Sequence, residues 1–267
     1  MEEIQTFCPI SNRFGTAYTK KPFEISSLGS DPLNRLFYEA ASYAKGVRIE
    51  VVHHRRCHSN GEEHVAALLG VRMQDPTVQF VDSLNLIEQI EAIAHELLHV
   101  LLIYRYGLNV IDRRIPRRCD GQETFIYCLT SNRSYGYLLG QIVNTAHHLI
   151  LVDYLKQEYG IESSLHLRLL NHNFKKIVGD HFTDRQSLYA RALIAFEYER
   201  LIGQLDRVMD PFHQTVSFWK AYDSALKLFG KYSFQTIPAP LTYKENVLAL
   251  LECLGYQKQD FIFSEQR

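Results

Sequence analysis

The order of apolar and polar residues divides the chain into a strand-bearing N-terminal third and a helical remainder. Val47–Val52 (VRIEVV) begins with an apolar/polar alternation and predicts a strand. Val65–Met73 and Thr77–Val81 predict two more, joined at Gln74-Asp75-Pro76, where Asp-Pro turns the chain and interrupts a ladder. Helical spacing governs 31–44, opened by Asp31-Pro32 and closed at Gly46. Residues 86–105 form the clearest helix: Asn85 and Glu88 have capping-box spacing, and Gly107 stands where a C-terminal glycine belongs. A second long helix covers about 134–158 and stops at Gly160. Further helices are expected over about 182–206, 214–229 and 243–254, punctuated by Gly179-Asp180, Asp210-Pro211 and Pro238-Ala239-Pro240. Residues 1–30, 53–64 and 108–133 read as irregular. The expected class is α+β: a small twisted sheet in the N-terminal third packed on helix 86–105, then a mainly helical body including 160–267, in one continuous domain over 1–267.

Composition narrows the classes. Of 267 residues, 46% are hydrophobic and 22% charged, enough for a packed core and too apolar for a disordered chain. The formal net charge of −1 gives no overall attraction to nucleic acid or an anionic membrane, so neither is expected as a partner. No apolar run approaches the roughly 20 residues that span a bilayer. The N-terminal stretch MEEIQTFCPISNRFG lacks a signal-peptide core. Five scattered cysteines without a C-x-x-C pair suit reduced thiols, and a cytoplasmic location is expected.

The chemistry concentrates in 91–102, EAIAHELLHVLL. His95 and His99 are four residues apart, which on a helix places them on one face with Cβ atoms about 5–6 Å apart. Two imidazoles so placed can grip one zinc ion. Glu96 projects about 100° round the helix from His95 and can reach a water on that ion without ligating it. There a carboxylate can act as general base and then acid. A plain core helix is the competing reading, but two imidazoles among apolar neighbours would then need hydrogen-bond partners.

His95-Glu96-Leu97-Leu98-His99, with uncharged flanks, resembles the H-E-x-x-H signature of the zincin metallopeptidases. The resemblance covers roughly 45–155. It implies a Zn2+ cofactor, His95 and His99 as metal ligands, Glu96 as the catalytic base, and a protein or peptide substrate. It also implies an edge strand above the helix that binds extended peptide, for which 65–73 or 77–82 could serve. The metzincin continuation is absent, because VLLIYRYGLNV follows His99. The other function class that such a chain could serve is a zincin-fold binding module without turnover.

Catalytic zinc usually takes a third protein ligand. The second long helix offers His148 first, on a mostly buried stripe with Asn144, Val152 and Leu155. His147 and Asp153 on the same helix, and Glu197 and Glu199 in ALIAFEYERL, stay open as alternatives. Three further groups read as solvated loop or packing: His53, His54, Cys57, His58 and His64; Arg113, Arg114, Arg117 and Arg118; and Tyr135, Tyr137 and Tyr154.

Overall fold

The structure is a computed structural model that describes residues 19–53, 66–69, 76–110, 133–179, 185–203 and 216–256. Four strands form one sheet: β1 (Thr19–Pro22), β2 (Arg48–His53), β3 (Ala66–Leu69) and β4 (Thr77–Val81), in spatial order β1-β2-β4-β3. The central pair β2 and β4 is parallel, while β1 and β3 flank it antiparallel. Alternation sets the faces. Val78 and Phe80 on β4 are buried, with Leu68 opposite Val78 on β3 and Ile49 opposite it on β2. The other face carries the Glu50–Gln79 pair, whose side chains hydrogen-bond at 2.6 Å.

Two strand expectations change. β1 lies inside the stretch expected to be irregular; its sequence TKKP has no alternation and takes its form from pairing with β2. Pro22 is tolerated because β1 is an edge. Residues 77–81 are not an edge strand: β4 is paired on both sides, which leaves β3 as the edge beside it.

Helix α1 (Asp31–Ala44) matches its expected bounds and buries Leu33, Leu36, Ala40 and Ala44 along one stripe. The left-handed residue that closes it is Lys45, one before the expected glycine. Helix α2 (Leu86–Tyr104) begins with the Asn85–Glu88 capping box, both hydrogen bonds formed. Its buried residues run through Glu91–Ala94 and Leu97–Ile103, so apolar neighbours enclose it almost all round. It packs against α1, β3, β4, α3 (Arg133–Tyr154) and α4 (Ser164–Gly179).

After α3, a π-helical turn over Leu155–Tyr159 ends at left-handed Gly160. Helix α4 has no counterpart among the expected elements. Helices α5 (Arg185–Leu201), α6 (Val216–Phe229) and α7 (Pro240–Cys253) complete the body. Tyr189 to Glu197 on α5 are all buried. Buried apolar residues from Ile25 to Leu254 belong to one connected core. Among the described residues, no helix is long and apolar enough to cross a membrane.

Candidate functional site

Helices α2, α3, α4 and α5 bring five polar side chains together inside this core. His95 and His99 project from one face of α2, with their Nε2 atoms 3.2 Å apart. His148 of α3 sits against both, at ring-centroid distances of 4.9 Å to His95 and 5.3 Å to His99. The ligand atoms of His95, His99 and His148 all lie within 4.8 Å of one another. Nitrogens bound tetrahedrally to one ion at about 2.0–2.1 Å are about 3.3–3.4 Å apart. The His95–His99 spacing therefore fits a shared ion.

Hydrogen bonding fixes which nitrogens can bind. Helix α2 ends in a Schellman-like turn at Gly107, whose φ of 68° suits glycine, and the Leu108 amide bonds back to the Leu102 carbonyl at 2.9 Å. This turn presents the Leu108 carbonyl to α3. His147 Nε2–H donates to it at 2.8 Å, so His147 Nδ1 is an acceptor. His99 Nδ1–H donates to that atom at 2.9 Å, which leaves the lone pair of His99 on Nε2, the nitrogen facing His95. On the other side, His148 Nδ1–H donates to Glu197 Oε1 at 2.7 Å. Its Nε2 is the free nitrogen. A carboxylate and a carbonyl behind ligand imidazoles are the usual way such rings are oriented.

Burial holds His95, His99 and His147 neutral, the form in which imidazole binds metal. It lowers His95 and His99 well below the ordinary histidine range, and the neighbouring imidazoles lower them further. Burial brings His147 down to about 3 against the opposing bond to Leu108. Burial alone would raise Glu197. The adjoining His148 and His166 outweigh it and hold the carboxyl ionised. Glu96 is half-buried, and burial pushes its carboxyl up to about 8. No hydrogen-bond partner engages it among the described residues.

The alternatives for the third ligand separate cleanly. His147 is committed to Leu108 and His99, so it orients rather than converges. Asp153 and Glu199 are exposed. Asn144, expected beside His148, is exposed as well; the polar neighbour is Thr145, whose hydroxyl donates to Glu197 Oε2 at 3.1 Å. Tyr154 hydrogen-bonds Tyr106 at 2.9 Å and belongs to a different cluster. The side chains of the His53–His64 group, of Arg113, Arg114, Arg117 and Arg118, and of Tyr135 and Tyr137 lie outside the described residues.

Sequence reasoning missed His166. It stands on α4, with its ring 4.8 Å from His95 and 4.3 Å from His148. The helix is docked by α2 itself. Glu91 accepts from the Leu165 amide at 2.6 Å, capping the α4 N-terminus, and Glu88 pairs with Arg168 at the surface. Glu88, Glu91 and His95 follow one another up the same side of α2, so the contact that anchors α4 also carries His166 to the centre. A signal did exist in Ser163-Ser164-Leu165-His166, a serine start before a histidine and leucines.

No protein-family model, curated protein or solved structure matches the chain.

Proposed function

We propose that the chain is a zinc-dependent hydrolase of peptide bonds, with His95, His99 and His148 holding the ion and Glu96 as general base. The observation that carries this reading is the convergence of three imidazoles, two of them oriented by His147 and Glu197. Three protein ligands are the number that leaves a coordination position open for chemistry. When bound, the ion lowers the pKa of a water molecule toward about 7 and polarises a carbonyl.

The remaining steps belong to the protein. Glu96 adjoins a ligand but is not one of the converging groups. Its raised pKa reflects burial without a counter-charge, and a divalent cation nearby favours the carboxylate. That carboxylate takes a proton from the attacking water and returns it to the departing amine nitrogen. Peptide as substrate rests on the H-E-x-x-H resemblance and on β3, which packs beside α2 and among the described residues is paired on one side only, the geometry for adding an extended chain.

The test uses the purified full chain and a quenched-fluorescent peptide library, with bound metal measured by mass spectrometry. Glu96→Gln should keep its metal and lose about 10²–10⁴-fold in turnover. No cleavage by the metal-loaded chain would make this a metal-holding binding module instead, and equal cleavage by Glu96→Gln would remove Glu96 as the base.

A further inference from the structure

Two triads meet at the centre, and the hydrolase reading uses only one. His148, His166 and Glu197 also place their ligand atoms within 4.8 Å of one another. Three observations set this second triad apart. His166 Nε2 is shielded from solvent and makes no hydrogen bond. It lies 3.3 Å from Glu197 Oε1, close enough for charge attraction but without hydrogen-bond alignment. That separation is what two ligands of one ion adopt, and it nearly equals the 3.2 Å between the Nε2 atoms of His95 and His99.

Glu197 supplies the third observation. It is a fully buried carboxylate whose partners are two imidazoles and the Thr145 hydroxyl. Buried anions are paired with cations or coordinate metal. The buried carboxylate of Glu197 and the unbonded His166 Nε2 thus face each other at 3.3 Å, with that nitrogen shielded from solvent.

We propose that His148, His166 and Glu197 form a second divalent-cation site, adjoining the first and sharing His148 with it. Two imidazoles and a carboxylate suit zinc, cobalt(II), iron(II) or manganese(II). His148 Nδ1–H now points at Glu197, so filling the second site while the first is occupied releases that proton to solvent. His148 then bridges the two ions through its two ring nitrogens. No oxidation or reduction accompanies the step.

Equilibrium dialysis of the full chain against cobalt(II), with metal counted by mass spectrometry and coordination followed by visible absorption, tests the site. Wild type should bind two ions per chain. His166→Asn, close in volume to histidine and checked by circular dichroism, should bind one and keep the absorption bands of the first site. His95→Ala should also bind one, with different bands. A single ion in wild type that is lost in His95→Ala and kept in His166→Asn would overturn the second site and leave the hydrolase reading standing. Two ions in both wild type and His166→Asn would overturn it as well. A single ion that survives His95→Ala and is lost in His166→Asn would establish this site and remove the hydrolase reading.

Discussion

Helix α2 borders two polar clusters, and they are satisfied in opposite ways. Just past its C-terminus, Glu39 of α1 pairs with Arg105 through one oxygen and accepts from Tyr159 at 2.6 Å through the other. Tyr154 meets Tyr106 at 2.9 Å and receives a weaker bond from Arg105 at 3.4 Å. Burial raises both Tyr154 and Tyr159, so their hydroxyls stay neutral. This circuit contains one cation, one anion and three hydroxyls, each bonded to another member. The histidine cluster has one buried anion among its imidazoles and a buried nitrogen, His166 Nε2, that makes no hydrogen bond. The first network is bonded throughout and about one-third exposed at its ion pair; the second is more buried and keeps an unbonded nitrogen. The first joins α1, α2 and α3 as structure; the second brings together groups that could hold a metal ion.

The sharpest way to break this contrast is to add metal. A ligand that binds only the folded chain stabilises it by about 4 kcal/mol at a thousandfold excess over its dissociation constant. Zinc should therefore raise the thermal midpoint of the wild type by roughly 10 °C, at about 2–4 °C per kcal/mol for a chain of this size. His99→Ala should lose the part of the response that belongs to the His95–His99–His148 site. Glu39→Gln should keep it in full, because the tyrosine circuit takes no part. A thermal melt of each variant with and without zinc decides the matter, and an equal response from His99→Ala would dissolve the distinction.

The residues behind the ligands come next. His147→Ala leaves His99 Nδ1 without its acceptor, and Glu197→Gln replaces the charged acceptor of His148 with a neutral one. Each should weaken metal binding about 10–100-fold while leaving the three ligands in place. Competition against a chelating dye measures this directly. Unchanged affinity in both would mean the rings are oriented by packing alone.

Smaller still is the cost of opening the finished circuit. Glu39→Ala removes the acceptor of Tyr159 and the counter-charge of Arg105, both about one-third exposed or less buried than the histidines. Exposure screens the ion pair, so the loss should be about 1–2 kcal/mol in urea unfolding. It should be the same with and without zinc.

How much of this was legible in the sequence follows from how local each cause is. The α2 helix announced itself, since its capping box, its apolar spacing and its histidine pair all lie within about 20 residues of one another. Strand β1 did not, because TKKP becomes a strand only through β2. Helix α4 was hidden for a related reason. Its first amides are capped by Glu91, a side chain of another helix, so no box precedes it in its own sequence. Its buried residues Leu165, Leu170 and Phe174 are separated by His166, Asn171 and Asn173, which blur the apolar stripe. Missing that helix meant missing His166. Glu197 could be named as a carboxylate candidate, but its place behind His148 depends on α3 packing against α5, which no spacing within either helix records.

The mildest prediction tests that nonlocal cap. Glu91→Ala strips the Leu165 amide of its acceptor and should cost about 1 kcal/mol, as lost helix caps do. Glu91→Gln keeps an oxygen there and should stay within about 1 kcal/mol of wild type, with a pH dependence whose sign is fixed. Burial raises the Glu91 carboxyl, outweighing the Leu165 bond and the Arg168 charge. A carboxyl whose folded pKa lies above its unfolded value of about 4.3 binds its proton more tightly when folded. Its contribution is most favourable below that unfolded value and is lost as pH rises through the folded one. Glutamine cannot titrate, so the variant should gain on wild type between pH 4 and pH 7. Urea midpoints of the two metal-free chains across that range read the effect. A variant that instead falls behind as pH rises would show that the ionised carboxylate stabilises the α4 N-terminus, and that the helix dipole and Arg168 outweigh burial at this position.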